Sequence, residues 1–485
     1  MAETYKNKNL LAKLIAWIID RLERVIFFGF KFTFPKKFLS PLGFSGMLTF
    51  STFVVLGLTG AVLMLFYEPG TETAFNSVKY INDEIPFGFH LRNIHYHASN
   101  AMVFLAVLHL YYQYFSGRYK IRNEIIWVTG LILGVVTVLE AFSGYDLIFN
   151  DRAELAVSIG VGLTVFSPVI GPELAQFIWG SGFSDFILRL YALHVFTVPL
   201  IMVVLMFFHF PRFMVFDIPM LTAITGSIMI TGGIFPIEMG VKFDPNFPPG
   251  ITVPEWYLTG LYAFIRTGFD KFVTGGLLPA LIILMFLAVP FIDTGRKFSW
   301  KDRPFFTAMG LASIAQVLVS TVWGFYVDPD PTKETVLRLY IDPIPLYSIM
   351  LLGVLVSFAI TYGFLRAKAT FGSKKKTFTR PKPITLTAGW TMTILAALIG
   401  VEVALNGMAY IAYTNGLLNL ALFEIGMIFM AFALIFHVYR AYNPANEKSE
   451  PQTAPKPVPA TAPAVKPVPT PTVNAAETRS GPPEA

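Results

Sequence analysis

The chain has 485 residues, of which 54% are hydrophobic and 14% are charged, and this composition lies far outside the range of soluble globular proteins. It contains 0 cysteines, which excludes a disulfide, an iron–sulfur cluster, a thiolate haem ligand and a covalently attached c-type haem on this chain. The net charge of +6 is carried by short loops between apolar segments, a distribution that follows membrane topology and argues against nucleic-acid binding.

The chain starts with an amphipathic segment. Residues 10–32 alternate large apolar side chains such as Trp17 with Lys13, Asp20 and Arg24. This pattern predicts a helix that lies along the membrane surface, within an N-terminal region of residues 1–34. No signal peptide with a small-residue cleavage site is recognisable before the first apolar span.

Ten apolar segments follow, each long enough to cross a bilayer as a helix. They are residues 46–66, 94–115, 126–146, 188–210, 218–237, 277–292, 305–326, 346–365, 386–409 and 417–437. Alternate loops are rich in Lys and Arg, and the opposite loops carry mostly Asp and Glu. The predicted fold class is therefore an all-α, polytopic transmembrane bundle with both termini in the cytoplasm.

Two histidine pairs stand out within the second and fourth spans. His95 and His109 are 14 residues apart, which places them on one helix face with a rise of about 21 Å. His194 and His209 are 15 residues apart, an angular offset of about 60° that still allows one broad face. If the two helices run parallel, the pairs form two bis-imidazole sites, each able to hold a haem iron.

The alternative for any single histidine is an ordinary hydrogen bond to a neighbouring helix. Four with matched spacing favour ligation, because polar groups inside a bilayer are costly. His97 lies about 120° from His109 around the helix and is the poorer partner. His90 and His437 have no such pairing and are interpreted as loop or helix-end residues.

Glycines repeat at the same interval as the first pair. Gly46 and Gly60 lie on the first span, and Gly130 and Gly144 lie on the third, 14 residues apart in each case. We expect each to leave room for the flat macrocycle against the helix backbone. The alternative is that glycine only allows close helix packing.

Together these motifs resemble cytochrome b, the membrane subunit of bc-type and b/f-type quinol-oxidising complexes. The likeness covers residues 10–370 and is carried by three stretches: the segment from Arg92 to His95, the segment from Arg189 to His194, and Pro254-Glu255-Trp256-Tyr257 with Ala263 to Arg266. The 15-residue spacing of the second pair is like the b/f-type branch.

The resemblance implies two non-covalent b-type haems and a quinol substrate. His95 and His194 would hold the outer haem, and His109 and His209 the inner one. Arg92 and Arg189 would pair with haem propionates. Glu255 would accept a proton from quinol, Tyr257 would position the ring or the carboxylate, and Pro254 would fix the loop. For Glu255 a purely structural role at a helix N-terminus is the alternative.

The sequence departs from the family pattern at two places, and one further acid is a candidate for the inner quinone site. Gly144-Tyr145 is followed by Asp146 where many relatives continue with Leu-Pro-Trp, so the outer rim of the quinol pocket is unusual. Tyr112 replaces a common arginine, and Arg118 or Lys120 is expected to substitute for it near the inner haem. Asp217 precedes the fifth span, where an acid would serve proton uptake at an inner quinone site.

The predicted organisation is a surface helix at residues 1–34, a dihaem bundle at 35–216, a quinol-site region at 217–370, two extra helices at 371–442 and a disordered Pro/Ala-rich tail at 443–485. The expected function is quinol oxidation within a respiratory complex of a prokaryotic plasma membrane. Expected partners are a Rieske iron–sulfur protein, a second copy of the chain and a further cytochrome or oxidase subunit. The alternatives are a dihaem membrane anchor that relays electrons and a proton-coupled transporter.

Overall fold

A computed structural model describes residues 10–22, 29–33, 41–210, 213–244, 246, 251–370 and 387–442. The N-terminal helix α1 spans Leu10–Leu22, and a strand β1 follows at Gly29–Thr33. The expectation of one helix over residues 10–32 is therefore wrong. Residues 29–33 instead pair in parallel with β2, Phe213–Asp217, and the aromatic and β-branched residues of the segment favour a strand.

The first half of the chain forms a four-helix bundle with short outer elements. The helices are α2 Ser45–Leu63, α3 Ala74–Asp83, α4 Gly88–Ser116, α5 Glu124–Asp146, α6 Asp151–Val165, α7 Gly171–Trp179, α8 Phe183–Ala192 and α9 Val198–His209. In the bundle α2 packs on α4 and α5 packs on α9. Met102, Val198 and Met202 are buried between these helices. The helices that carry the two histidine pairs thus belong to one packed unit.

A π-helical turn, Leu193–Thr197, connects α8 to α9. Pro199 follows it, and a proline removes one backbone donor and crowds the carbonyl four residues earlier. A π-turn accommodates one additional residue within a continuous helix. It therefore accommodates the extra residue between His194 and His209, so that both histidines still lie on one face of the helix despite their 15-residue spacing.

The second half contains α10 Ile218–Ile234, α11 Trp256–Ile265, α12 Leu278–Ile292, α13 Pro304–Gly324, α14 Thr335–Leu339, α15 Pro343–Thr370, α16 Ala388–Thr414 and α17 Leu418–Tyr442. The two helices beyond the family resemblance join the bundle through α10, because α17 packs on α10 and α16 packs on α17. The crossing is close: a Cβ added at Gly226 would lie 2.7 Å from the Gly426 carbonyl oxygen. Small residues permit this approach.

Eight described helices are long and apolar enough to cross a membrane, and they match eight of the ten predicted spans. The other two predicted spans are also helical. The α4 helix has 29 residues but carries several polar side chains, and α10 has 17 residues. The all-α polytopic fold is confirmed, and the short pair of strands is its only described exception.

A buried ionic cluster joins the two halves at the predicted cytoplasmic side. Asp293, at the end of α12, accepts hydrogen bonds from Lys120 (2.6 Å), Tyr119 (2.5 Å) and Arg303 (2.9 Å). The Lys120, Asp293 and Arg303 side chains are at most 6% exposed. Burial alone raises the pKa of Asp293, but these hydrogen bonds outweigh burial and hold that pKa below its usual range.

Candidate functional site

The structure brings the four histidines together as two pairs. The ring centroids of His95 and His194 are 6.2 Å apart, with ring planes at 83°. Those of His109 and His209 are 6.1 Å apart, at 84°. Two metal–nitrogen bonds of about 2 Å, plus about 1 Å from each nitrogen to its ring centre, give a centroid separation of roughly 6 Å. Each pair therefore has the spacing expected for two imidazoles that bind one iron.

Each histidine is oriented by hydrogen bonds at Nδ1. His95 Nδ1 lies 2.9 Å from Thr59 Oγ1, and His109 Nδ1 lies 3.0 Å from Ser45 Oγ. His209 Nδ1 donates to the Ile126 carbonyl oxygen at 2.8 Å. With Nδ1 engaged on helices α2 and α5, Nε2 is the nitrogen that remains to ligate a metal.

His194 has a different set of partners from the other three. Its Nδ1 lies 3.1 Å from the Glu140 carbonyl oxygen, 3.2 Å from Glu140 Oε1 and 3.3 Å from Ser143 Oγ. Glu140 is an acid within the apolar span α5, which is the signal that should have drawn attention to it in the sequence. A carboxylate beside a ligating imidazole orients the ring and increases its basicity.

The four glycines each lie against one histidine ring. A Cβ added to Gly130 would lie 2.4 Å from His209 Cε1, and one on Gly144 would lie 2.5 Å from His194 Cε1. For Gly46 and His109 the distance is 2.9 Å, and for Gly60 and His95 it is 3.1 Å. The glycines therefore make room for the ligand rings themselves, where the sequence had suggested room for a macrocycle.

A hydroxyl residue precedes every one of these glycines in the sequence. The four are Ser45, Thr59, Thr129 and Ser143. Three of them contact a histidine Nδ1 directly. This repeated Ser/Thr-Gly pair was visible in the sequence at the 14-residue interval and was not used as a predictor.

The two arginines expected at haem propionates donate hydrogen bonds to other parts of the chain. Arg92 is 7% exposed and donates to Asn82 Oδ1 and to the carbonyl oxygens of Ile237 and Glu238. Arg189 donates to the carbonyl oxygens of Gln176 and Phe177. Pairing of either guanidinium group with a haem propionate remains a prediction.

The remaining basic candidates also have definite places. His97 Nε2 bonds the Phe235 carbonyl oxygen at 2.8 Å, so it does not compete with His95. Lys120 is committed to Asp293 and to two backbone carbonyls, so it does not take the position of the missing arginine near the inner pair. Arg118 lies over the Tyr112 ring, 5.1 Å from its centroid, close enough for its charge to act on His109.

Glu255 lies at the end of the bundle that is predicted to be the outer one, and it precedes α11. Its carboxylate is 7% exposed and accepts a hydrogen bond from Arg152 Nη1 at 2.6 Å. The Tyr96 hydroxyl lies 3.3 Å from both carboxylate oxygens. Glu255 is the N-cap residue of α11, but in the described structure its side chain does not cap that helix, so capping does not account for the acid.

The neighbours of Glu255 in the motif also have fixed positions. Trp256 Nε1 donates to Asn100 Oδ1 at 2.6 Å, which anchors the motif to α4. Tyr257 is half-buried and lies within electrostatic range of Glu255, Asp146 and Arg152. Tyr96 and Arg152, which hold the carboxylate, were not predicted from the sequence, because their distance along the chain from Glu255 gives no signal of the contact.

Asp217 has a structural role in this fold. It is fully buried at the end of β2, and its Oδ1 accepts a hydrogen bond from the Met220 amide at 3.3 Å as the N-cap of α10. A capping acid at this place stabilises the helix start. Proton uptake by Asp217 remains a prediction.

Comparison with known proteins identifies relatives for both halves. The model of the family described as Cytochrome b/b6/petB matches residues 33–216, and that described as Cytochrome b(C-terminal)/b6/petD matches residues 243–340. The chain is 29% identical over 323 residues to the "Cytochrome bc complex cytochrome b subunit" of Chlorobaculum thiosulfatiphilum, covering 59% of this chain and 74% of the relative.

A solved structure described as "Hyperthermophilic respiratory Complex III" has a similar fold. The TM-score is 0.53 at 22% identity, over 72% of this chain and 100% of that chain. At this identity the likeness concerns the fold alone.

Proposed function

Since the chain belongs to the bc-type cytochrome b family, we propose that it oxidises quinol at its outer side and passes electrons through two b-type haems to the cytoplasmic side. Membership in this family makes it a multi-pass membrane subunit of a quinol oxidoreductase and implies b-type haem. The proposal adds the number of haems, their ligands and the division of electrons between an iron–sulfur partner and the haems.

The paired imidazoles support two haem sites. His95 with His194, and His109 with His209, would hold the two haems through their imidazole nitrogens, and the glycines at the ring edges would leave the rings unhindered. When bound, such haems carry single electrons without an open coordination position. The contribution of the chain is to hold each Nε2 toward its partner through hydrogen bonds at Nδ1.

The single observation that carries quinol oxidation is the setting of Glu255. Its carboxylate is buried beside the outer histidine level of the bundle, yet it contacts Arg152, whose side chain is 39% exposed. A quinol hydroxyl beside Glu255 would lose its proton to this carboxylate as electrons leave. Protonation would remove the charge that pairs with Arg152, and the carboxyl group would then release the proton to water at the outer surface.

This setting favours quinol oxidation over the two alternatives. A dihaem anchor needs no carboxylate at a second, outer quinone site. A transporter needs neither paired imidazoles nor glycines that clear the ring edges. The Pro254 to Tyr257 motif lies within the C-terminal family match, residues 243–340. A protein that only carried haems would not need this second region.

The partners and location follow from the same proposal. Because the chain has 0 cysteines, a high-potential iron–sulfur acceptor must come from another protein, which we assign to a Rieske type. A homodimer, a further cytochrome or oxidase subunit, and a prokaryotic plasma membrane with cytoplasmic termini complete the proposed context.

The test is Glu255→Gln in the intact complex. The amide keeps the size of the side chain but cannot accept the proton, so quinol-driven haem reduction should slow about a hundredfold. Stopped-flow absorbance of the b-type signal measures this rate, and Glu173→Gln, an exposed acid on α7, is the matched control. Reduction at the wild-type rate in the Glu255→Gln complex would refute the proposed base.

A further inference from the structure

Asp146 is a buried acid that the mechanism above does not use. It ends α5 at the outer side, its side chain is 0% exposed, and neither carboxyl oxygen has a hydrogen-bond partner among the described residues. The hydroxyl of the adjacent Tyr145 is also buried and without a partner within that described part. Buried polar groups normally have partners, so two neighbouring side chains without one indicate a missing bonding group.

These side chains lie next to the proposed quinol site. The Tyr145 and Tyr257 hydroxyls are both close enough to Asp146 and to Glu255 to interact with their charges. Two residues before Tyr145, Ser143 contacts the outer ligand His194. Asp146 therefore belongs to the space between the outer histidine pair and the Pro254 to Tyr257 motif.

Glu255 and Asp146 differ in how their oxygens are used. Glu255 is held by Arg152 and Tyr96, whereas the oxygens of Asp146 have no bond within the described chain. An ionised carboxylate in this position would be far more costly than a neutral carboxyl. A neutral carboxyl offers one O–H donor and also accepts hydrogen bonds.

We propose that Asp146 is a second polar anchor of the outer quinol site and hydrogen-bonds an oxygen of the bound quinol. A neutral carboxyl suits both redox forms of the ligand, because it accepts from a quinol hydroxyl and donates to a quinone carbonyl. Asp146 forms no covalent bond and takes no net proton in this role. The inference rests on the proposed function, since it requires a quinol beside Glu255.

The test compares Asp146→Leu with Asp146→Asn in the full complex, with duroquinol as the reductant. Leucine is similar in size but has no polar atoms, so KM for duroquinol should rise about tenfold, with kcat changed less than twofold. Asparagine retains a donor and an acceptor and should keep KM within about twofold of the wild type. Glu173→Gln again serves as the control.

Reduced-minus-oxidised spectra of each variant establish that both haem signals are present, and Asp146→Val replaces the leucine variant if that one lacks haem. A wild-type KM in the apolar variant, or an asparagine variant as weak as leucine, would overturn the anchor. If duroquinol does not reduce the haems of the wild-type complex, the proposed function fails. Normal reduction of the wild type with an unchanged KM in the apolar variant removes the Asp146 anchor alone.

Discussion

The outer and inner levels of the bundle have nearly the same ligand geometry but different surroundings. Ring-centroid separations differ by only 0.1 Å and interplanar angles by 1°, as 6.2 Å and 83° compare with 6.1 Å and 84°. At the outer level three acids, Glu140, Asp146 and Glu255, lie near the pair. At the inner side the buried acids are Asp293, which basic and phenolic partners engage, and Asp217, which caps α10.

The difference teaches that local sequence determines the ligand geometry, whereas the surroundings determine what each level does. The Ser/Thr-Gly pairs on α2 and α5 repeat the same local arrangement at both levels. The acids are not repeated. The inner acids stabilise helix packing and a helix start, whereas Asp146 at the outer level has no hydrogen-bond partner for its carboxyl oxygens in the described chain and remains available to a ligand.

Removal of one ligand should test most directly whether the two levels are independent sites. His209→Leu should eliminate the inner haem and about half of the b-type absorbance, because a bis-imidazole site cannot keep its iron with one ligand. His95→Leu should do the same at the outer level. Pyridine haemochrome spectra of purified protein measure the haem content. His97→Leu, next to but outside the pair, should retain both haems, and equal loss in that control would contradict the assignment.

The glycines test whether both levels use the same local arrangement. Gly130→Ala and Gly144→Ala place a Cβ within 2.5 Å of a ring carbon, so each should lose most of the haem at its own level. The Cβ added by Gly60→Ala would lie 3.1 Å from His95 Cε1, so this variant should retain most of its haem. Gly134→Ala is the control, since no described atom lies within 4 Å of its added Cβ. Redox titration followed at the b-type absorbance band distinguishes haem at the two levels. If all of these alanine variants retained their haem, the proposed role of the glycines would be wrong.

The smallest effect should come from the inner ionic cluster, which is predicted to stabilise the fold without contributing to chemistry. Asp293→Asn leaves Lys120 and Arg303 buried without their counter-ion, which should cost about 3 kcal/mol of stability. Thermal unfolding in detergent measures this loss. Quinol-driven reduction per folded complex should be unchanged, and a kinetic defect would extend the functional region to the inner side.

The pH dependence of this cluster has a definite sign. Because the pKa of Asp293 is lowered in the fold, its stabilisation is present above the unfolded pKa of about 4 and is lost as pH falls through the lower folded value. The Asn variant should therefore show a flatter stability profile below about pH 4 than the wild type. Glu173→Gln, at an exposed acid on α7, is the control and should leave the profile unchanged.

Much of the fold could be predicted, because long apolar spans and alternating loop charge are local signals. The histidine pairs could also be predicted, since residues 14 apart must share a helix face. The partners of long side chains could not be predicted: Arg92 binds a carbonyl 145 residues away, and Lys120 binds an acid 173 residues away. The strand at Gly29–Thr33 was missed for the same reason, because its partner begins at Phe213.

The 14-residue interval on α4 also has an electrical consequence. It separates the outer and inner pairs by about 21 Å along the helix, or roughly two-thirds of a hydrocarbon core about 30 Å thick. A charge that moves between the levels therefore crosses a similar fraction of the membrane voltage. Moving one charge across the whole membrane changes its free energy by about 2.3 kcal/mol per 100 mV, so moving it between the two levels changes its free energy by about 1.5 kcal/mol per 100 mV. The spacing of two histidines thus sets how strongly electron flow through this subunit is coupled to the voltage.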